Sequence, residues 1–233
     1  MTFSTWRALG NTYVVAGPGE TGRLDARAVL ALVGGADGVL EIIDMSDARV
    51  EVAIWNPDGS QAELSGNGTR IAAAWLAARS GAERIDVVVG DRTVTTRILD
   101  SGVIEQDLGE VIVEDSEIID GLAVTAVSVG NPHAVVIGDP DSIVDVGPRL
   151  ETHERFPSRT NVQVVRIDAP GEVTARVWER GVGETASSGT SAVAVAAATH
   201  GEGDVIVHFP GGDLRVRLES GRARLYGTAE RID

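Results

Sequence analysis

The feature that most constrains this chain is an internal repeat. Val50-Glu-Val-Ala-Ile-Trp55 aligns with Val173-Thr-Ala-Arg-Val-Trp178, an offset of 123 residues. With no gap, the same offset sets Ser65-Gly66 on Ser188-Gly189 and Ala73-Ala74 on Ala196-Ala197. Each copy reads as a strand ending in Trp, a polar loop rich in Gly and Glu, a Ser-Gly turn and an alanine-rich run. A repeat of about half the chain in 233 residues predicts two similar domains, because solenoid periods of roughly 20–50 residues are far shorter.

Most of the remainder reads as short strands between turn residues. Apolar or alternating runs occupy Tyr13–Ala16, Val39–Ile43, Val50–Trp55, Ile85–Val89 and Thr93–Leu99. The second half repeats the habit at Val124–Val129, Ala134–Ile137, Val162–Ile167, Val173–Trp178, Asp204–Phe209 and Leu214–Leu218. Helical patterns are few: Asp25–Val33, Thr69–Arg79, Ser191–Ala198 and a weaker one around Asp141–Leu150. Ile71–Ala78 and Ala192–Ala198 are apolar nearly all round, so each predicts a helix buried on every side. The expected fold is α+β: two pseudo-equivalent domains, each a curved mixed sheet wrapped about one central buried helix. The expected boundaries are 1–113 and 114–223, with the last strand, 224–233, returning to the first domain.

Composition removes several chemistries. The chain has no cysteine, which excludes disulfides, thiolate nucleophiles and thiolate metal sites. All 20 basic residues are arginine, so no lysine exists for a Schiff base or a phosphate-binding loop. A net charge of −15 with no basic stripe argues against nucleic acid. No apolar run is long enough for a membrane span and no leader precedes the first strands, so a soluble, cytoplasmic protein is expected. His133, His153, His200 and His208 lack ligand spacing, and Asp139, Asp141 and Asp145 read as a solvated loop, so no metal is expected. Ala186-Ser187-Ser188-Gly189 does not form a serine-hydrolase elbow.

Chemistry concentrates where the two buried helices begin. Ser65-Gly66-Asn67-Gly68 leads into the first and Ser188-Gly189-Thr190-Ser191 into the second. A helix starts with N–H groups that lack an intrahelical acceptor and with a partial positive charge. Glycines there admit a carboxylate or phosphate close to the backbone. Equally, Ser, Asn and Thr are ordinary caps. The five asparagines, Asn11, Asn56, Asn67, Asn131 and Asn161, are the second clue. Turn preference accounts for Asn56, Asn67 and Asn131, but less well for Asn11 and Asn161, which enter strands. Neutral amides gathered in a cleft would suit a zwitterion, accepting from its ammonium and donating to its carboxylate.

Asn56-Pro-Asp-Gly-Ser-Gln-Ala-Glu-Leu-Ser-Gly-Asn-Gly-Thr-Arg70 resembles diaminopimelate epimerase. So do Val129-Gly-Asn-Pro-His133, Arg159-Thr-Asn-Val162 and Arg176-Val-Trp-Glu-Arg-Gly-Val-Gly-Glu-Thr185. Leu9-Gly-Asn-Thr-Tyr13 and Leu225-Tyr-Gly-Thr-Ala229 extend the likeness across the chain. The resemblance implies a cofactor-independent isomerase of lysine and cell-wall precursor biosynthesis, with two similar domains closing over one amino acid and a homodimer allowed. A base on each side inverts the α-carbon. Carried over by motif, Asn11, Asn56, Asn131, Asn161, Glu179 and Arg180 hold the substrate, mostly its distal end. Gly66-Asn67 and Gly189-Thr190 hold the reacting α-carboxylate, and His133, with Glu179, supports the reacting centre. A plain turn histidine and a local Glu179–Arg180 ion pair are the blander readings of those residues.

The departures are as informative. The family's two base cysteines are Ser65 and Ser188 here, Thr12 stands where an acid is usual, and Ile71 and Val193 replace further cysteines. A serine hydroxyl ionises several units above a thiol; a gap of about five units costs ~7 kcal/mol. A helix N-terminus returns only about 0.3–2 kcal/mol. Four readings stay open. They are a slow epimerase, in one form with His133 relaying protons through a serine; an elimination of water from a hydroxylated amino acid; a binding protein that keeps the cleft; and a cysteine-free redesign.

Overall fold

The computed structural model describes residues 3–18 and 23–233. The chain divides into two compact units, Met1–Asp107 with Tyr226–Asp233, and Leu108–Leu225.

The first unit runs β1 (Phe3–Ala8), β2 (Asn11–Ala16), α1 (Ala26–Leu32), β3 (Gly38–Met45) and β4 (Arg49–Trp55). After the two-residue β5 (Gln61–Ala62) come α2 (Gly66–Ser80), β6 (Arg84–Val89) and β7 (Arg92–Ile98). The chain leaves this unit within β8 (Ile104–Glu110). The sheet is mixed: β1–β2, β3–β4, β4–β5, β6–β7 and β7–β8 are antiparallel, whereas β2–β3 and β4–β6 are parallel. The parallel steps coincide with the two helices, as a crossover between parallel strands requires.

The second unit repeats this order. After β9 (Ile112–Val113) and β10 (Glu117–Ile119) come β11 (Leu122–Ser128), β12 (Pro132–Ile137), α3 (Ile143–Glu151), β13 (Asn161–Ala169) and β14 (Glu172–Glu179). Then follow β15 (Gly183–Thr185), α4 (Gly189–Thr199), β16 (Gly203–Phe209), β17 (Gly212–Glu219) and β18 (Arg222–Gly227). Again β12–β13 and β14–β16 are parallel and their neighbours antiparallel. Residues after Leu225 belong to the first unit, where β19 (Glu230–Arg231) pairs with β1.

The 123-residue offset carries β3 onto β13 and α2 onto α4 at their first residues. Register shifts recur in the same hairpin of each unit, between Ile42 and Asp44 in β3–β4 and, two residues further along, between Ile167 and Ala169 in β13–β14. Such irregularities sharpen local twist and help each sheet curl. The curl wraps a helix: α2 touches β1, β2, β4, β6 and β7, and α4 touches β11 to β14, β16 and β17. Both are buried on nearly every side, with Gly66–Ala73, Trp75 and Leu76 buried in α2 and Gly189–Ala197 in α4. The fold class expected from sequence is the one observed.

Two outer helices complete the cores. Asp25 caps α1 by accepting the Ala28 N–H at 2.8 Å, and Val29 packs on Ala16, Val39 and Trp55. In α3, Ile143, Val146 and Leu150 pack on Val136, Val162 and Val164, with Trp178 against them. At Gly147 a Cβ would lie 2.7 Å from Trp178 Cβ, so glycine lets the helix seat on that indole.

The sequence reading differs from the structure at the helix starts. It placed them at Thr69 and Ser191, but α2 and α4 begin at Gly66 and Gly189. Glycine and asparagine read as turn residues, yet the first helical turn needs no intrahelical donor bonds and tolerates them. The reading also passed over β1 and β8. Their inward positions, Ser4, Trp6 and Ala8 in β1 and Ile104, Gln106 and Leu108 in β8, mix polar with apolar side chains and blur the alternation. Among the described residues no helix is long and apolar enough to cross a membrane.

Candidate functional site

Ser65 and Ser188 are the N-cap residues of the two central helices, both in extended backbone. Their side chains differ in use. Ser65 Oγ accepts the Gly68 N–H at 3.0 Å and lies 3.2 Å from Tyr13 Oη. Ser188, 6% exposed, makes no capping bond with its side chain. The Ser-Gly segments expected to be turns are thus caps plus first helical turns, which puts main-chain donors and the positive helix end beside each hydroxyl.

In the first unit a buried polar network backs the start of α2. Asn67 Nδ2 donates to Asn11 Oδ1 at 2.6 Å, and Asn67 Oδ1 accepts from the Arg70 guanidinium. Arg70 is fully buried and also donates to Gln106 Oε1 at 3.0 Å and the Thr228 carbonyl at 3.1 Å. Gln106 Nε2 closes the network on the Gly66 carbonyl, 2.9 Å, and Thr69 Oγ1, 2.8 Å. Burial pulls the Arg70 pKa down to about 10, which still leaves a cation one turn inside the helix. The structure therefore brings Asn11, Gly66 and Asn67 together. Asn56 sits in its own turn, donating to Ser60 Oγ at 2.9 Å.

In the second unit an uncharged network occupies the corresponding place. Asn131 Nδ2 donates to Thr190 Oγ1 at 3.3 Å, and Asn131 Oδ1 faces His133 Nε2 at 3.0 Å. Gln163 Nε2 lies 3.1 Å from His133 Nδ1 and donates to Ser191 Oγ at 2.9 Å. With an amide donor at Nδ1 and an amide carbonyl at Nε2, the imidazole is neutral and protonated on Nε2. Burial, reinforced by the Arg180 charge, pushes its pKa down to about 3. His133 is a buried residue of β12, 1% exposed, so the turn reading of it is corrected.

Asn161, Glu179 and Arg180 form the other end of this unit's cluster. Asn161 Oδ1 accepts the Arg180 main-chain N–H at 3.0 Å, and its Nδ2 donates to the Pro132 carbonyl at 2.9 Å. Glu179 Oε1 accepts Thr185 Oγ1 at 2.6 Å across the β14–β15 hairpin. A residue the sequence reading missed organises this hairpin. The Glu151 carboxylate, nearly buried, accepts the Gly181 N–H at 2.6 Å and Trp178 Nε1 at 2.8 Å, and pairs with Arg159. Glu41 does similar duty in the first unit, accepting Trp55 Nε1 at 3.0 Å and the Leu24 N–H at 2.7 Å. The repeated Trp was visible in sequence; the carboxylates are not at equivalent positions and left no signal.

A cavity of about 290 Å³ opens in the second unit beside Gly130, Asn131, Pro132 and His133, with Phe156 and Arg159 on its wall. Among the described residues, no cluster of His, Asp and Glu has the arrangement of a metal site. Asp139 and Asp141 are engaged otherwise, Asp139 capping the turn at Pro140–Ser142 and Asp141 pairing with Arg176.

A family model described as diaminopimelate epimerase matches residues 125–231. A diaminopimelate epimerase of Desulforudis audaxviator is 34% identical over all of this chain and 97% of its own length. Another, from Desulforapulum autotrophicum, is 38% identical over 83% of this chain and 80% of its own. A solved structure of a predicted epimerase from Pseudomonas aeruginosa superposes with a TM-score of 0.76, covering 99% of this chain and 96% of that one, at 17% identity. That last likeness speaks for the fold; identity at these levels over the full length speaks for descent. The chain belongs to the diaminopimelate epimerase family.

Proposed function

We infer that this chain is an amino-acid epimerase that interconverts LL- and meso-diaminopimelate without a cofactor, in lysine and cell-wall precursor biosynthesis, with serine at both base positions. The observation that carries the reading is the equivalence of Ser65 and Ser188. Each stands at the N-cap position of a buried central helix at the same point of a duplicated fold, beside a Gly-Asn or Gly-Thr first turn. That first turn supplies main-chain donors and positive potential for the α-carboxylate and for the negative charge that grows as the α-proton leaves. Gly66, Asn67, Gly189 and Thr190 take the carboxylate in this reading. Asn11, Asn56, Asn131, Asn161, Glu179 and Arg180 take the remainder of a zwitterionic substrate, and neutral His133 braces Asn131. The protein works in the cytoplasm, and the family resemblance allows a homodimer.

The serines favour a second reading. Since a lone alkoxide is costly, the same site suits elimination of water from a hydroxylated amino acid, where one modest base and one acid are enough. Proton NMR of LL- and meso-diaminopimelate in heavy water, with the unmodified protein beside the Ser65→Cys/Ser188→Cys variant, separates the two. Loss of the α-proton signal with the unmodified protein is the expected result. Exchange in the cysteine variant alone means a diaminopimelate site stripped of its bases. No exchange with either, together with keto acid and ammonia from a hydroxylated amino acid, replaces epimerisation with elimination.

A further inference from the structure

Ser65 is hard to reconcile with proton abstraction by itself, yet its surroundings are chemically active. Its Oγ sits between the Gly68 N–H at 3.0 Å and Tyr13 Oη at 3.2 Å. Tyr13 is 9% exposed on β2, and its ring is held by a close approach of β3. At Gly38 a Cβ would lie 2.7 Å from Tyr13 Cε1 and 2.5 Å from the Trp55 carbonyl oxygen, so only glycine leaves room for the ring. The register adds a second observation. Tyr13 faces Gly38 across β2–β3, and His133 faces Asn161 across β12–β13; the 123-residue offset maps Gly38 onto Asn161. Tyr13 and His133 therefore occupy equivalent positions, and in each unit the strand beside the central helix carries a proton-bearing side chain there.

We propose that Tyr13 is the proton partner of Ser65. Tyr13 Oη, as phenolate, receives the hydroxyl proton of Ser65 while Ser65 Oγ receives the α-proton of the bound amino acid. The Cα–H bond and the original Oγ–H bond break, a new Oγ–H bond and an Oη–H bond form, and the Cα–H electron pair stays on the carbon beside the carboxylate. Reversal of the same transfers delivers a proton to that carbon. The proposal rests on the amino-acid proton transfer inferred above. A phenol ionises several units below a serine hydroxyl, so it is the better acceptor of the pair. The Gly68 N–H stabilises whatever negative charge Oγ carries during the transfer. Charged groups on the neighbouring elements are committed elsewhere: Asp37 to the Thr12 N–H, Glu41 to Trp55, Arg70 to Asn67 and Gln106, and Arg7 to Glu230. Because Tyr13 acts through Ser65, it is a positioning residue and not a group that touches the substrate carbon.

The test compares α-proton exchange of diaminopimelate in heavy water for the unmodified protein, Tyr13→Phe, Ser65→Cys and the Tyr13→Phe/Ser65→Cys double variant between pH 7 and 10, with urea unfolding to check each fold. The unmodified protein is expected to exchange faster as pH rises from 7 to 10, because the phenolate fraction grows. Tyr13→Phe lowers that exchange at least 100-fold and flattens the profile. In the Ser65→Cys background the loss is at least tenfold smaller, because a thiol ionises near pH 8.5 by itself. Equal losses in both backgrounds, or a profile still rising in Tyr13→Phe, overturn the proposal and leave Tyr13 a packing residue. An inactive unmodified protein beside an active Ser65→Cys/Ser188→Cys variant overturns the relay alone and keeps the substrate. Silence from both overturns the substrate reading, and the relay falls with it.

Discussion

Acidification should unfold this protein partly through one imidazole. His133 is buried and neutral, with its pKa at about 3, below the ordinary 6.5. A native pKa depressed below the unfolded one means that the unfolded chain binds a proton the native state refuses. Stability is then highest above pH 6.5 and falls by about 1.36 kcal/mol per unit as pH drops from 6.5 towards 3. At pH 4.5 the loss from this residue is about 2 units, or ~3 kcal/mol, and it saturates below pH 3. Other groups titrate over the same range, so the assay is a double difference. Urea unfolding of the unmodified protein and of His133→Gln, each at pH 7.5 and pH 4.5, isolates the imidazole. The unmodified protein should lose about 3 kcal/mol more than the variant between the two pH values. A difference under about 0.5 kcal/mol would show that the native imidazole ionises as it does in the unfolded chain, and would refute the neutral network of Asn131, His133 and Gln163.

Three further outcomes follow from the packing. Arg70→Ala strands the Gln106 and Asn67 carbonyls and the Thr228 carbonyl and opens a cavity, so it should cost about 3–5 kcal/mol in urea unfolding; a loss under 1 kcal/mol would mean that the cation's burial offsets its bonds. Glu151→Gln weakens the anchors of Trp178, Gly181 and Arg159 and should cost about 1–3 kcal/mol, with faster proteolysis at residues 180–183; unchanged cleavage would show that the hairpin holds without the carboxylate. Gly38→Ala drives a methyl against Tyr13 and the Trp55 carbonyl and should cost about 1–3 kcal/mol, which a thermal melt unchanged within a degree would contradict.

Much of the architecture was legible before any coordinate. The ungapped match of Val50–Trp55 with Val173–Trp178, and of Ser65-Gly66 with Ser188-Gly189, predicted duplicated units; all-round apolarity at Ile71–Ala78 and Ala192–Ala198 predicted their buried helices. Both signals are local and periodic, and periodicity survives in a linear string. The asparagines also stood out by type: Asn11, Asn67 and Asn131 do sit in networks at the helix starts, Asn161 joins Pro132 to Arg180, and Asn56 serves its own turn.

What the string could not carry is partnership between distant positions. Tyr13 meets Ser65 across 52 residues, and Arg70 meets the Thr228 carbonyl across 158. Glu151 grips Gly181 across 30 residues, from the end of α3. By itself the sequence determined the repeat, the strand and helix content and the residue types available for chemistry. These follow from covalent order and from the periods of helix and strand. Only the tertiary structure decided that one serine is coupled to a phenol and the other makes no capping bond, that His133 is dry and neutral, and that a lone arginine among alanines is a buried cation. Those are matters of distance and desolvation, which exist only once the chain has closed on itself.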